Sequence, residues 1–405
     1  MFIRMKTQEQ NSEGLSVMPA FVAKCRRTLV TNVETIRGFA IVSVAAVLLS
    51  ACANEVDKGV CGANPTYCSW SYNSNKELTI IGTGEMIKDA ADLPRGTHYG
   101  WDKYRKEMTA VSISGVTAIG KDAFKRCDSL TSVNIGSGVV SIGTEAFNGC
   151  KKLTSVSIDN DLATIGTSAF YGCTGITALS IPKNVTTISP YAFYGCTGLT
   201  KVTIPNSVTE MGQRAFDGCI GITEINIGSG LTTVDGFVLG KMVNLTAINA
   251  DKKNVKYSSV EGVLFAKDTS NLFEYPIGRQ GAYSIPDGVI VVGGYAFNGA
   301  TGLTSVTIPN SVDTIEDGAF RGCTALASVV VPEDVTTIGS YIFQGCTGLT
   351  SVYNYSTKPQ NIENSYGVFY GVNLANVTLY VPAGSESTYQ AARGWKRFGQ
   401  ILAIP

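Results

Sequence analysis

Residues able to do chemistry are few in this 405-residue chain and badly spaced for it. A single histidine, His98, excludes any site built on two imidazoles, so acid–base work would rest on carboxylates, Lys, Tyr or that one ring. His98 lies beside Tyr99, Trp101 and Tyr104, which reads as packing. Asp159-Asn160-Asp161 opens like a calcium loop, but Ala163 and Thr164 stand where an oxygen ligand and a glycine are needed, and no Glu closes it. Glu333-Asp334 sets two carboxylates side by side directly after Pro332, where a solvated turn is expected. The stretch Gly136-Ser-Gly138 through Gly143 lacks phosphate-loop spacing and reads as a turn. No catalytic residue, metal or cofactor is expected, and the chain reads as a non-enzyme.

The cysteines carry a different signal. Cys127, Cys150, Cys173, Cys196 and Cys219 fall 23 residues apart, and Cys323 and Cys346 resume the interval. Phe124, Phe147, Phe170, Phe193 and Phe216 keep the same phase, as do Phe297, Phe320 and Phe343. Self-similarity at this period marks a solenoid. Met242, Ala300 and Val372 take the cysteine slot elsewhere, which makes ten slots and suggests about ten coils. None of those three can bridge, and side chains at one repeat position point in parallel, so the seven thiols are expected to be buried and reduced.

Stepping from slots to elements, Ile142, Ala146, Phe147, Cys150 and Leu153 are spaced 4, 1, 3 and 3 apart, a helical stripe, and Val156 and Ile158 then switch to period 2. The expectation is a leucine-rich-repeat solenoid with one helical turn and one short strand per 23-residue coil. Gly149 and its counterparts suit a left-handed reversal, and Pro182, Pro205, Pro286, Pro309 and Pro332 close the strands. From Ala250 to Ile285 the phase is one period plus 12 residues, an insert. Basic and acidic residues number 32 each, so no polyanion is attracted and nucleic acid is not an expected partner. With 44% apolar residues the chain can bury a large core.

Lys24, Arg26, Arg27 and Arg37 precede an apolar run from Gly38 to Leu49, the order of a secretory signal, and the run is shorter than the roughly 18 to 20 residues a bilayer needs. It ends in Leu49-Ser50-Ala51-Cys52, which resembles the bacterial lipobox and implies a lipid on Cys52. Cleavage near Ala51 or Ala53 by an ordinary secretory peptidase is the alternative. Ala53 after the cysteine resembles the arrangement of lipoproteins sent to the outer membrane. In an oxidising envelope Cys61 and Cys68, outside the repeat phase, are expected to form a disulfide.

The units Ile188-Ser-Pro-Tyr-Ala-Phe-Tyr-Gly-Cys-Thr-Gly-Leu199 and Val202-Thr-Ile-Pro205 resemble the BspA-like leucine-rich repeats of bacterial surface proteins. The resemblance spans about Val111 to Pro382. Cys61-Gly62 through Tyr72 resembles the family's N-terminal cap, Val381-Pro382 through Trp395 its C-terminal cap, and Gly262-Val263-Leu264-Phe265 with Tyr275-Pro276 a hairpin-bearing unit. The division this implies is a signal peptide at 1–51, a tether at 52–60, a cap at 61–110, a solenoid at 111–382 with a hairpin insert near 251–284, and a cap at 383–405. It also implies an exposed protein that meets host proteins, matrix, other cells or glycans.

A solenoid presents one position many times, so its outward strand row is where binding is sought. That row reads Asn134, Ser157, Ser180, Thr203, Asn226 and Asn249, small and uncharged, which suits hydroxyl-rich or peptide ligands and equally suits plain solubility. Tyr171 and Tyr194 share a slot in successive coils, with Tyr191 one turn before, and polar-tipped aromatics favour interfaces. Lys252, Lys253 and Lys256 give the insert a basic spot. The leading expectation is a surface-exposed outer-membrane lipoprotein that adheres to host or neighbouring-cell proteins. Glycan capture for nutrient uptake, and a structural or antigenic role without one ligand, are the alternatives.

Overall fold

The computed structural model of the chain describes residues 55–61, 68–86, 99–234, 239–362 and 367–405. The signal segment 1–51, Cys52 and His98 lie outside the described residues. Most coils contribute a four-residue strand with alternate side chains pointing inward, as Val133 and Ile135 do in Ser132–Ile135 while Asn134 faces out. Successive strands pair in parallel and in register, Asn134 opposite Ser157 and Thr203 opposite Asn226. A two-residue strand later in each coil builds a second parallel ladder, with Ile142 opposite Ile165. The result is a β-solenoid of about 12 turns.

The helical turn expected in each coil is absent, and the hydrogen bonds show why. Glu145, Phe147 and Gly149 donate their amides to Thr167, Ala169 and Tyr171 of the next coil, each at 2.8 Å, whereas Ala146, Asn148 and Cys150 donate three residues back. An α-helix needs consecutive amides for its own i−4 carbonyls. Stacking takes every second one, so the chain advances by tight turns, with Glu145 (φ 56°) and Gly149 (φ 76°) left-handed between them. Such turns also bring residues i and i+3 together, which is how they imitate a helical stripe. Among the described residues the only α-helix is Glu386–Ala391, near the C-terminal end.

Ten coils was also an undercount. Trp101 and Tyr275 occupy the phenylalanine slot in coils that lack the phenylalanine: Trp101 stacks on Phe124 at 5.7 Å between centroids and Tyr275 on Phe297 at 4.6 Å. From Trp101 a ring ladder runs to Phe216, and from Tyr275 another runs to Phe369, with spacings such as 5.2 Å for Phe147–Phe170. The strand ladder likewise begins inside the N-terminal cap, where Glu77–Gly82 pairs with Ala110–Ser114, and continues into the C-terminal one, where Gln400–Ala403 pairs with Thr378–Val381. Cys61 and Cys68 are joined by a disulfide with Cα atoms 5.0 Å apart. In the same cap Trp70 is packed against backbone: a Cβ added at Gly59 or Gly100 would come within 2.6 or 2.8 Å of its ring.

The insert is an antiparallel hairpin, Tyr257–Val260 with Val263–Ala266, followed by Asn271–Glu274. Asn254 fixes its entry. This fully buried side chain donates to the carbonyls of Gly228 (2.9 Å) and Leu231 (3.0 Å) and accepts the amides of Lys256 (2.9 Å) and Tyr257 (2.8 Å). The lysines around it, Lys252, Lys253 and Lys256, thus belong to a tightly tied turn.

Candidate functional site

The outward row does not behave uniformly. Asn134, Ser157, Ser180 and Thr203 are exposed, but Asn226 and Asn249 are half-buried and turned on each other, with the Asn249 amide donating to Asn226 Oδ1 (3.1 Å) and to Glu224 Oε1 (2.8 Å). That end of the row uses its polar groups to join coils. Beyond the insert the row is still small and polar at Ser284 and Thr307 and then changes character. Val330, Tyr353, Tyr380 and Leu402 stand opposite one another in successive strands, the rings of Tyr353 and Tyr380 are stacked 4.6 Å apart, and Leu402 is 44% exposed. Sequence reasoning stopped the row at Asn249 and missed this apolar stretch. The signal was present in the 23-residue step from Val330 to Tyr353.

The structure brings the three predicted tyrosines together. Tyr171 and Tyr194 are stacked at 4.8 Å with ring planes 9° apart, and Tyr191 is tilted by 50° against Tyr194 at 5.9 Å. Each ring of the stacked pair therefore covers one face of the other. The stack leaves the edges, the hydroxyls and the opposite ring faces for contact, and Tyr171 is 38% exposed. The same slot in the next coil holds Asp217, a residue the sequence reading passed over. Asp217 is 2% exposed, its Oδ2 lies 3.7 Å from Arg214 Nε, and its Oδ1 has no hydrogen-bond partner among the described residues. Desolvation raises its carboxyl pKa against the opposing pull of Lys241 and Arg214.

One coil breaks the outward face. Where its neighbours carry a strand, Ala178–Ile181 has none, so Ser180 lies in no ladder although its row-mates on either side do. Among the described residues no group of three or more His, Cys, Asp or Glu side chains is placed to hold a metal.

Residues 117–246 and 269–387 match the model of the BspA type leucine rich repeat region in six copies, and the chain belongs to that family. Proteins of the family are cell-surface proteins. Among solved structures, a leucine-rich repeat protein from Eubacterium ventriosum is 25% identical over 86% of this chain and 85% of its own, with a TM-score of 0.58. A leucine rich cell surface protein from Faecalibacterium prausnitzii is 24% identical over 86% of this chain and 96% of its own, with a TM-score of 0.44. A leucine-rich repeat protein from Bacteroides ovatus is 18% identical over 84% and 98%, with a TM-score of 0.45. No functionally curated protein matches the chain.

Proposed function

We propose that this chain is a surface-exposed, lipid-anchored binding protein that adheres to proteins of a host or a neighbouring cell. The observation that carries the reading is the outward strand face, which repeats one position along the rod and passes from small polar side chains at Asn134, Ser157 and Thr203 to the apolar Val330, Tyr353, Tyr380 and Leu402. A protein surface offers both polar and apolar groups over such a length, and aromatic side chains anchor protein interfaces. Glycan capture is the alternative reading, for which the stacked Tyr171 and Tyr194 leave one ring face each outside their mutual contact. Anchoring is assigned to acyl chains on Cys52 in the outer membrane. No helix of the described residues is long and apolar enough to cross a bilayer.

The test is an array of host proteins, matrix proteins and glycans probed with the polypeptide 53–405. Saturable binding to one or more proteins, reduced by Tyr353→Ser together with Tyr380→Ser, is the expected result. Binding confined to glycans, or to nothing, would reject adhesion.

A further inference from the structure

The break at Ala178–Ile181 has a local cause. The strand segments of its neighbours read Thr131-Ser-Val-Asn-Ile135, Thr154-Ser-Val-Ser-Ile158 and Thr200-Lys-Val-Thr-Ile204, whereas this coil reads Thr177-Ala-Leu-Ser-Ile181. Alanine alone is tolerated at its position in the strands that hold Ala110 and Ala247, and leucine alone in the one that holds Leu379, so what sets this coil apart is that it combines a residue depleted in strands with one that lacks valine's β-branching. Pro182 is not the cause, since Pro205 and Pro332 hold the same position after the strands Lys201–Ile204 and Ser328–Val331.

The consequences are visible on both sides. No main-chain hydrogen bond joins Ala178–Ile181 to Ser155–Ile158 or to Lys201–Ile204. Two strand edges within the face are therefore left without ladder partners. Val156, Ile158 and Leu179 are only partly buried, whereas the inward Val133, Ile135, Val202 and Ile204 are 1–2% exposed. The space forms an open groove of about 650 Å³ lined by Val156, Leu179, Lys183, Lys201 and Thr203 among others, with two lysines and no carboxylate in its lining. Lys201 is 3.2 Å from Glu224, but Lys183 is exposed and makes no ion pair with the described residues.

We propose that this groove docks an extended segment of a partner polypeptide that carries acidic side chains. Unpaired strand edges are met by another extended backbone, which supplies alternating N–H and C=O groups at strand spacing. The four residues of the break correspond to about 13 Å of such a segment. Its apolar side chains would rest on Val156 and Leu179, and its carboxylates would meet Lys183. The proposal rests on the reading of the chain as a binding protein and names the partner's chemistry at one site.

The probe is a fluorescein-labelled peptide, Thr-Val-Asp-Val-Glu-Val-Thr, added to the full-length protein in detergent, alongside a version with both acids replaced by Lys and one interrupted by Pro. Only the acidic, uninterrupted peptide should bind, and it should slow hydrogen exchange in 155–158 and 201–204. Lys183→Glu should weaken it about tenfold. The double variant Ala178→Ser, Leu179→Val restores the neighbouring coils' sequence. It should close the strand and lose the peptide without lowering the melting temperature. Equal binding of the three peptides, unchanged binding by the double variant, or no binding at about 1 mM would each overturn the groove. Success on the protein array with failure here rejects the groove and leaves adhesion standing.

Discussion

The thiol of Cys173 donates to the carbonyl oxygen of Phe147, 3.1 Å away in the preceding coil. Cys150 makes the same bond to Phe124, Cys196 to Phe170, Cys219 to Phe193, Cys323 to Phe297 and Cys346 to Phe320, at 3.0–3.2 Å. The Phe147 carbonyl also accepts the amide of Cys150 in its own turn, so one oxygen closes a turn and ties the next coil to it. The slot therefore wants a small apolar group with a weak donor, which free cysteine supplies. Burial pushes the Cys173 and Cys346 thiols up to about 12, which keeps the donated proton in place at neutral pH.

Removing that thiol should be mild and removing the ring beside it should not. Cys173→Ala loses a weak hydrogen bond and one sulfur's volume, about 1 kcal/mol. Phe170→Ala opens the ring ladder between Phe147 and Phe193, spaced at 5.2 and 5.4 Å, and should cost about 3–5 kcal/mol. Urea unfolding of both variants compares them, and similar losses would contradict the assignment of the slot.

The seven repeat cysteines are free and buried. Thiol blocking of unreduced protein should label all seven only after denaturation and leave Cys61 bonded to Cys68. Peptides cross-linked between successive repeats would show that the stacked slots oxidise.

Much of this fold was legible because a repeat states its core many times: Phe147 and Cys150 could be placed in the interior from their 23-residue phase alone. What the phase could not show was the route of the chain between them. Helix and stacked tight turns both satisfy the spacing of Ile142, Ala146, Phe147 and Cys150, and the choice depends on amides such as that of Phe147 finding Ala169 in another coil. The end coils escaped because Trp101 fills the ring slot with a different residue. At the binding face, the tyrosines were found by slot, but the break at Ala178–Ile181 is a failure of pairing, which becomes visible only when neighbouring strands are laid beside it.

Anchoring depends on one residue in the proposal. Cys52→Ala should abolish acyl labelling and move the protein from the membrane to the soluble fraction, since no helix among the described residues is long and apolar enough to cross a bilayer in the lipid's place. Unchanged fractionation would reject Cys52 as the anchor.

Glu274 gives the stability a pH dependence of unusual sign. It is partly buried in the insert, makes no ion pair with the described residues, and desolvation raises its carboxyl from 4.5 to about 8. The folded state thus holds a proton that the unfolded state releases near 4.5. Between those values the native form binds more protons, so this residue's contribution falls as pH rises from about 4.5 to about 8. Glu274→Gln should remove that slope, raising the melting temperature by a few °C at pH 8.5 and changing it little at pH 4.5. An equal shift at both pH values would show that the carboxyl is not desolvated.

The strand Val263–Ala266 divides the interior in two. Leu264 packs into the core of the N-terminal coils, while Val263 and Phe265 pack into that of the C-terminal coils, as alternation along a strand requires. The hairpin also meets the preceding strand through the Ile248 amide, which donates to Gly262 at 2.8 Å. In a repeat protein, stability is close to a sum over neighbouring interfaces, so cooperativity between halves runs through whatever joins them. Phe265 is fully buried and among the largest side chains on that strand. Phe265→Ala should leave a cavity at the junction costing about 3–5 kcal/mol and split unfolding into two transitions, with the C-terminal coils melting first. Phe170→Ala, inside one core, should lower the melting temperature without splitting it. Calorimetry with hydrogen exchange on the two variants decides the matter, and a single transition for Phe265→Ala would mean that the backbone contacts of the hairpin alone couple the halves.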